Sequence, residues 1–340
     1  MQMNDPVSPV SEALRLRAGE WVQVRSAEEI FATLDGHGCL EALPFMPEML
    51  KWCGKTVQVQ KSAHKTCDTI GPYGTLRMSN AVHLTELRCD GAAHGGCEAA
   101  CLIFWKEAWL RRSPGPAQAQ PKVDGVIADS DAPESAATSY NVEGLQRATR
   151  AQTVGDKAPS ERYRCQATEL PNATTRAAWW DPRLYVKDLT SGNVGPFKFI
   201  RYSSIALFNM VMRLHWRGRP YPYLRGLAGD KTPTEELNLQ VGELVEVRSK
   251  REIMLTLNEY KKNRGLSFDV EMVPFCGRKF RVLRRVEKII NEKTGKMMRL
   301  PSACLILENA TCGGCLSRKR LFCPRAIYPY WHEIWLKRVQ

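Results

Sequence analysis

The pattern of hydrophobic and polar positions repeats between residues 19–112 and residues 242–340, which we call the first lobe and the second lobe. The stretch GEWVQVRS at residue 19 returns as GELVEVRS at residue 242, and the offset of 223 holds up to Cys89 and Cys312. An offset of 226 then aligns the remainder, including the segments WKEAW and WHEIW. We interpret the two lobes as tandem copies of one unit, so positions that they share are positions that the unit requires.

Within each lobe the pattern predicts mainly β-structure with one inserted helix. In the first lobe, alternating apolar positions predict strands near residues 22–24, 57–59, 82–87 and 105–110. In the second lobe they predict strands near residues 245–247, 280–282, 305–307 and 331–336. A Ser-x-x-Glu capping box after the first strand predicts helices over about residues 27–35 and 250–258. Short strands with a helix after the first favour a small SH3-like barrel in each lobe, and a two-sheet sandwich is the alternative.

The rest of the chain differs in composition. Residues 1–18 read as a disordered tail, and residues 113–160, rich in Pro, Ala and Ser, as a flexible linker. Residues 161–241 form a connector in which apolar residues over about 197–214 follow helical spacing. That helix is too short and too basic to span a membrane. It is expected to pack as a core helix between the lobes, and attachment to a membrane interface is the alternative.

Charge is unevenly distributed over the chain, whose formal net charge is +13. The first lobe has 10 basic and 11 acidic residues, a net charge of −1, whereas the second has 21 and 10, a net charge of +11. Such asymmetry predicts that the second lobe faces an acidic partner, which could be a protein, a nucleic acid or an anionic membrane surface. The residues expected to contact it are Lys279, Arg281, Arg284, Arg285, Lys288, Arg318, Lys319 and Arg320.

The 12 cysteines point to metal ligation. Residues 1–17 are polar and interrupted by proline, unlike a secretion signal. We therefore expect a cytoplasmic protein, with peripheral attachment to the inner membrane as an alternative. Reduced thiols in that compartment act as metal ligands more often than as disulfides.

The cysteine spacings predict one metal site per lobe. In the first lobe the expected ligands are Cys67, Cys89, Cys97 and Cys101, with His94 as a substitute. In the second they are Cys312, Cys315 and Cys323, and the fourth position belongs to Cys304, to His332 or to solvent. Soft ligands in a tetrahedron favour Zn²⁺ over iron or an iron–sulfur cluster. The alternative is that these are buried structural thiols.

The segment Trp-x-Glu-x-Trp occurs in both lobes and holds a shared glutamate, Glu107 in the first and Glu333 in the second. On a strand, each carboxylate would lie between two indoles. We expect these glutamates to pair with Arg25 and Arg248 rather than to act as acids or bases with raised pKa values, because an unpaired buried charge is costly.

The sequence shows no glycine-rich phosphate loop, no HExxH motif and no nucleophile elbow. The favoured function is therefore a non-enzymatic metal-binding accessory or adaptor protein. One alternative is a metal-dependent enzyme that uses an open coordination position in the second lobe. Another is a nucleic-acid-binding protein that uses the basic residues of that lobe.

Several motifs resemble those of an uncharacterised family of duplicated, cysteine-containing bacterial proteins. In the first lobe they are FMPEM at residue 45, CDGAAHGGC at residue 89 and WKEAWL at residue 105. In the second they are LFCPR at residue 321 and YPYW at residue 328. Genes of that family often lie beside polysaccharide or specialised-metabolite genes. The resemblance implies a bacterial cytoplasmic setting and an accessory role in a biosynthetic cluster, and it implies no catalytic residue.

Overall fold

The computed structural model describes residues 13–72, 74–115, 141–151, 161–215, 218–229 and 231–339. Within these ranges the protein is mainly β with some helices, as predicted. Its two largest sheets are curled and each forms half a barrel.

The first lobe is built on a five-stranded antiparallel sheet. The whole lobe contains nine strands within the described residues: β1 (Trp21–Val24), β2 (Cys39–Leu40), β3 (Leu43–Pro44), β4 (Thr56–Ser62), β5 (Lys65–Cys67), β6 (Thr75–Arg77), β7 (Ala81–Arg88), β8 (Leu102–Lys106) and β9 (Leu110–Arg112). Helix α1 spans Ala27–Phe31, and 3-10 helices span Pro47–Trp52 and Glu107–Trp109. The sheet has the order β8-β7-β4-β1-β9, and β5 pairs with β6 as a separate hairpin.

Most of the helical residues lie between the two lobes. The described part of the linker contains α2 (Val142–Ala148) and β10 (Arg150–Ala151). The connector contains β11 (Arg162–Tyr163), α3 (Gln166–Glu169), β12 (Thr175–Arg176), α4 (Pro182–Thr190) and α5 (Pro196–Leu214). Strand β12 pairs with β6 and so attaches the connector to the hairpin of the first lobe.

The second lobe is built on a four-stranded antiparallel sheet of order β17-β16-β13-β18. Its elements are β13 (Leu244–Val247), α6 (Lys250–Met254), β14 (Lys262–Asn263), β15 (Leu266–Ser267), β16 (Lys279–Ile290), β17 (Met297–Leu307) and β18 (Leu336–Arg338). Its 3-10 helices span Val270–Phe275, Arg318–Arg320 and Glu333–Trp335. Strands β16 and β17 are long and end in a hairpin around residues 288–299. The equivalent hairpin of the first lobe is formed by two separate strands, β5 and β6.

The two sheets use equivalent sequence positions in equivalent pairings. Trp21 lies opposite Gln58 in the first sheet, and Leu244 lies opposite Arg281 in the second. Both members of one pair differ from those of the other by 223. Helices α1 and α6 also begin alike, since each has a serine–glutamate capping box. Both helices are shorter than predicted.

The two cores have the same aromatic centre. Phe45 makes edge-to-face contacts with Trp105 and Trp109 in the first lobe, with ring centroids 6.3 and 5.3 Å apart. Phe268 makes the same contact with Trp335 in the second lobe, at 5.2 Å. These tryptophans are fully buried. Each lobe therefore has its own hydrophobic core.

The strands predicted over residues 105–110 and 331–336 are each interrupted by a turn of 3-10 helix, at Glu107–Trp109 and Glu333–Trp335. The reason is the glutamate that begins each turn. Its carboxylate reaches the backbone of the segment that precedes the lobe, and regular strand geometry would point it to one face of the sheet instead.

The predicted pairing of these glutamates with Arg25 and Arg248 is wrong, because both arginines form ion pairs with other carboxylates. Glu107 accepts hydrogen bonds from the N–H groups of residues 15 and 16, at 2.8 and 3.1 Å. Glu333 accepts them from the N–H groups of residues 237–239. Burial opposes ionisation of Glu333, but these donors outweigh it and lower its pKa. Both carboxylates therefore anchor backbone.

Helix α5 matches the helix predicted over about residues 197–214, but the expectation that it is a core helix is wrong. Of its nineteen residues, all of them described, Asn209 is the one classed as buried. Phe197 is 88% exposed and Leu214 is 82% exposed. One side of the helix packs on the second lobe, where Phe199 stacks on Phe322 with ring centroids 5.3 Å apart. Among the described residues, no helix combines the length and apolar character needed to cross a membrane.

The predicted tail and linker fall partly outside the described residues, which exclude 1–12, 116–140 and 152–160. Their described parts are structured, which differs from the prediction. Leu16 and Leu145 are 2% and 1% exposed and belong to the core of the first lobe. Isolated apolar residues in polar segments thus add to that core.

Candidate metal centre

Three side chains that could hold a metal ion lie together at the cysteine loop of the first lobe. Glu48, Cys89 and His94 bring their donor atoms within 4.8 Å of one another, and no other group of three or more does so in the described part of the chain. Glu48 comes from the 3-10 helix Pro47–Trp52, which places its carboxylate under the loop. His94 Nδ1 lies 2.6 Å from Glu48 Oε1, and Cys89 Sγ lies 3.9 Å from the same oxygen.

The hydrogen bonds of His94 restrict the chemistry of this cluster. Its Nε2 lies 3.2 Å from the carbonyl oxygen of Arg164, which can only accept, so Nε2 carries a proton. Nδ1, which faces the Glu48 carboxylate, is then the ring nitrogen that could bind a cation. Glu48 Oε2 is buried and has no hydrogen-bond partner among the described residues. A buried acceptor without a donor is costly, so the donor set fits a bound cation.

Four cysteines are among the residues that line a cavity at this cluster. The cavity has a volume of about 490 Å³ and is lined by Cys89, Cys97, Cys101 and Cys165, among others. Burial raises the pKa of Cys101 to about 12 and that of Cys165 to about 11. Sequence reasoning missed Cys165, which lies in the connector immediately before α3 and has no equivalent in the second lobe. Cys67, expected in this set, does not line the cavity.

The cysteine loop of the second lobe is held by Glu271, which lies 223 positions after Glu48. Its carboxylate accepts hydrogen bonds from the backbone N–H groups of Cys315, Leu316 and Ser317, at 3.0, 2.7 and 2.7 Å. Glu48 accepts one from the N–H of Ala93 in the same manner, at 3.0 Å. The glutamate shared by the two lobes thus has the same role in each, which is to close the cysteine loop.

Glycine makes the second loop tight. Gly314 has a φ of +61°, and a Cβ atom placed on it would lie 2.7 Å from the backbone nitrogen of Cys323. Any other residue at this position would collide with the backbone, so the glycine brings Cys312-x-x-Cys315 against Cys323. Burial raises the pKa of Cys312 to about 12.

Cys67 lies against the second lobe instead of the first cysteine set. Its thiol faces the Cys323 thiol. The interaction of the two thiols, with Arg325 and Arg320 nearby, lowers the pKa of Cys67 against the opposing effect of burial. The same interaction, together with burial, raises the pKa of Cys323.

The other proposed ligands of the second lobe have contacts elsewhere. Cys304 packs with Val286 and Tyr328, and its thiol donates to the Ser302 carbonyl at 3.5 Å. His332 Nδ1 lies 3.3 Å from the hydroxyl of Ser302, and its ring stacks edge-on against an indole. Both side chains therefore contact residues outside the cysteine loop.

Most of the basic residues predicted to contact an acidic partner make contacts within the protein. The side chains that do so are Arg281, Arg285, Lys288, Arg318, Lys319 and Arg320. Arg285, for example, lies 2.9 Å from Glu333, and Arg320 lies 2.8 Å from Asp269. Lys279 is exposed and Arg284 is half-buried. Internal contacts thus account for much of the clustering seen in the sequence.

No family model, curated protein or solved structure matches this chain. A function therefore has to be supported by the chemistry of these side chains.

Proposed function

We propose that the protein is a non-enzymatic zinc-binding adaptor in which cysteine thiolates hold the loop of each lobe. The observation that carries this proposal is that Cys89, Cys97, Cys101 and Cys165 line one cavity, in which Cys89 lies beside His94 and Glu48. Thiolate and imidazole ligands are those that Zn²⁺ prefers, usually in a tetrahedron. Cys165 takes the place in this set that the spacing pattern assigns to Cys67.

The lobes themselves are proposed to be SH3-like small barrels. The sheet order β8-β7-β4-β1-β9 and the 3-10 turn before the last strand support this. The loop between β7 and β8 carries Cys89, Cys97 and Cys101. Because such a loop is long and poor in apolar residues, a bound ion would supply the order that its own packing does not.

A structural role is favoured over catalysis by the surroundings of the thiols. Catalytic zinc sites keep one coordination position open to substrate, whereas structural sites are closed by four protein ligands. Here the thiols of both loops are buried or half-buried. Carboxylates of Glu48 and Glu271 fix the loop backbone around them, as outer groups do in structural sites.

Docking of an acidic partner is supported by the net charge of the second lobe. Lys279 and Arg284 are the predicted contact residues for which the described structure has no side-chain partner. The exposed apolar side of α5 adjoins this lobe and would extend the contact.

Metal analysis of the purified full-length chain tests the proposed function. We expect about two zinc ions per chain in protein prepared without added metal, one for each cysteine loop. A Cys53→Ser variant should retain the same content, because Cys53 lies apart from both loops at the C-terminus of the 3-10 helix Pro47–Trp52. A chain that carries neither zinc nor iron would refute the proposal.

A further inference from the structure

We propose that Cys67, Cys312, Cys315 and Cys323 form one four-thiolate metal site that joins the two lobes. The inference rests on the proposed function and specifies the ligand that the second lobe lacks. It makes the second metal site a link between residues more than 240 positions apart.

The hairpin of the first lobe is clamped onto the cysteine loop of the second. Lys65, two residues before Cys67 on β5, donates to the Leu321 carbonyl at 2.8 Å. Thr75 on β6 donates to the Lys319 carbonyl. Cys67 and Cys323 face each other between these two anchors. Cys67 is therefore held at the loop by its own strand. Binding of the ion would draw the four sulfur atoms together, because no three of them lie within 4.8 Å of one another in the structure.

The same contact is made a second time with the lobes exchanged. Lys288, equivalent to Lys65, donates to the Gly95 carbonyl at 2.9 Å. The N–H of Ile290, equivalent to Cys67, lies 3.4 Å from Cys97 Sγ. Each lobe therefore places one hairpin position on the cysteine loop of the other, and that position is a thiol in one case and an isoleucine in the other.

This difference balances the number of thiols at the two loops. Where the hairpin supplies Ile290, the first loop has Cys101 and Cys165 in addition to the shared pair Cys89 and Cys97. The second loop has isoleucine at the position of Cys101, and it has Cys315 and Cys67. Each loop thus reaches four thiols, the number that a closed tetrahedral site requires.

The charges around Cys67 fit a metal-bound thiolate. Zn²⁺ with four thiolates has a net charge of about −2, from the charges of the ion and its ligands. The buried guanidinium of Arg325 and that of Arg320 lie close enough to Cys67 to favour its thiolate form.

Native mass spectrometry of single variants tests the inference. We expect two zinc ions in the wild-type chain and one in Cys67→Ser, in Cys67→Ile and in Cys312→Ser. Cys67→Ile introduces the residue found at the equivalent position of the second lobe, so it keeps an apolar side chain in the contact. Cys276→Ser, a half-buried thiol outside both sets, is the control and should keep two.

The outcomes separate this inference from the proposed function. If Cys67→Ser keeps two zinc ions while Cys312→Ser keeps one, Cys67 is not a ligand, although the protein still binds zinc. If the wild type holds none, both fail. A Cys67–Cys323 disulfide, found as a loss of two hydrogens and resistance to alkylation, would also overturn the inference.

A second variant covers the case in which Cys67→Ser fails to fold. Cys67→His supplies a nitrogen ligand, so it should keep two ions when the chain is loaded with Co²⁺ alone. Its visible absorption should shift relative to the wild type, because one of eight sulfur ligands is replaced. An unchanged spectrum at full occupancy would show that residue 67 does not touch the metal.

Discussion

Removal of metal with a strong chelator is expected to lower the melting temperature by about 10 °C or more. Structural zinc contributes on the order of 10 kcal/mol in small zinc domains, and we expect about half of that here because each lobe also has an apolar core. For a chain of this size, about 1 kcal/mol corresponds to about 2 °C. The loops around Cys89–Cys101 and Cys312–Cys323 lose their cross-links when the ion leaves. Thermal unfolding followed by circular dichroism measures the change.

Adding metal back to the chelated protein distinguishes loss of the ion from irreversible damage to the protein. Stoichiometric Zn²⁺ should return the melting curve to its original position, whereas Mg²⁺, which prefers oxygen ligands, should not. A melting curve that the chelator leaves in place would contradict a structural metal.

Replacement of Lys65 by methionine is expected to cost about 3–5 kcal/mol in the free energy of unfolding. Lys65 Nζ lies 2.5 Å from Asp188 Oδ2, and the two side chains are 3% and 0% exposed. Methionine fills the volume but leaves the Asp188 carboxylate buried without its cation. The hydrogen bond from Lys65 to the Leu321 carbonyl is lost as well. Urea denaturation measures the difference.

Two further variants make that measurement specific. The double variant Lys65→Met/Asp188→Asn should recover most of the loss, because it removes both charges of the buried pair. Lys187→Met changes an exposed lysine on the same helix as Asp188 and should alter stability by less than about 0.5 kcal/mol. A Lys65→Met protein as stable as the wild type would show that the pair contributes nothing.

The class of the fold was predictable because it depends on local patterns. Alternation around Val22 and Val245 indicates strands, and the serine–glutamate boxes mark where α1 and α6 begin. The interruption at Glu107 was not predictable in this way. It depends on a hydrogen bond to residues 15 and 16, which a pattern of neighbouring residues does not encode.

The position of α5 was not predictable either. Its apolar residues follow the spacing of a core helix, and spacing alone cannot say whether another surface covers them. In the structure one side contacts Phe322, and Phe197 on the remainder is exposed.

The cysteines could be identified as candidate ligands, but their grouping could not. Cys67 is close in sequence to the first set and lies at the second because the hairpin β5–β6 crosses to the other lobe. One signal was present in the sequence. The position equivalent to Cys67 is Ile290, so Cys67 is not part of what the lobes share, and the second lobe lacks a fourth thiol. Cys165 carried no such signal because the connector is not repeated.

X-ray absorption at the zinc edge of the purified chain tests most directly the claim that thiolates hold metal in both lobes. The account predicts an edge from zinc and a first shell dominated by sulfur at about 2.3 Å. A first shell of nitrogen and oxygen at about 2.0–2.1 Å, or no zinc edge, would contradict it.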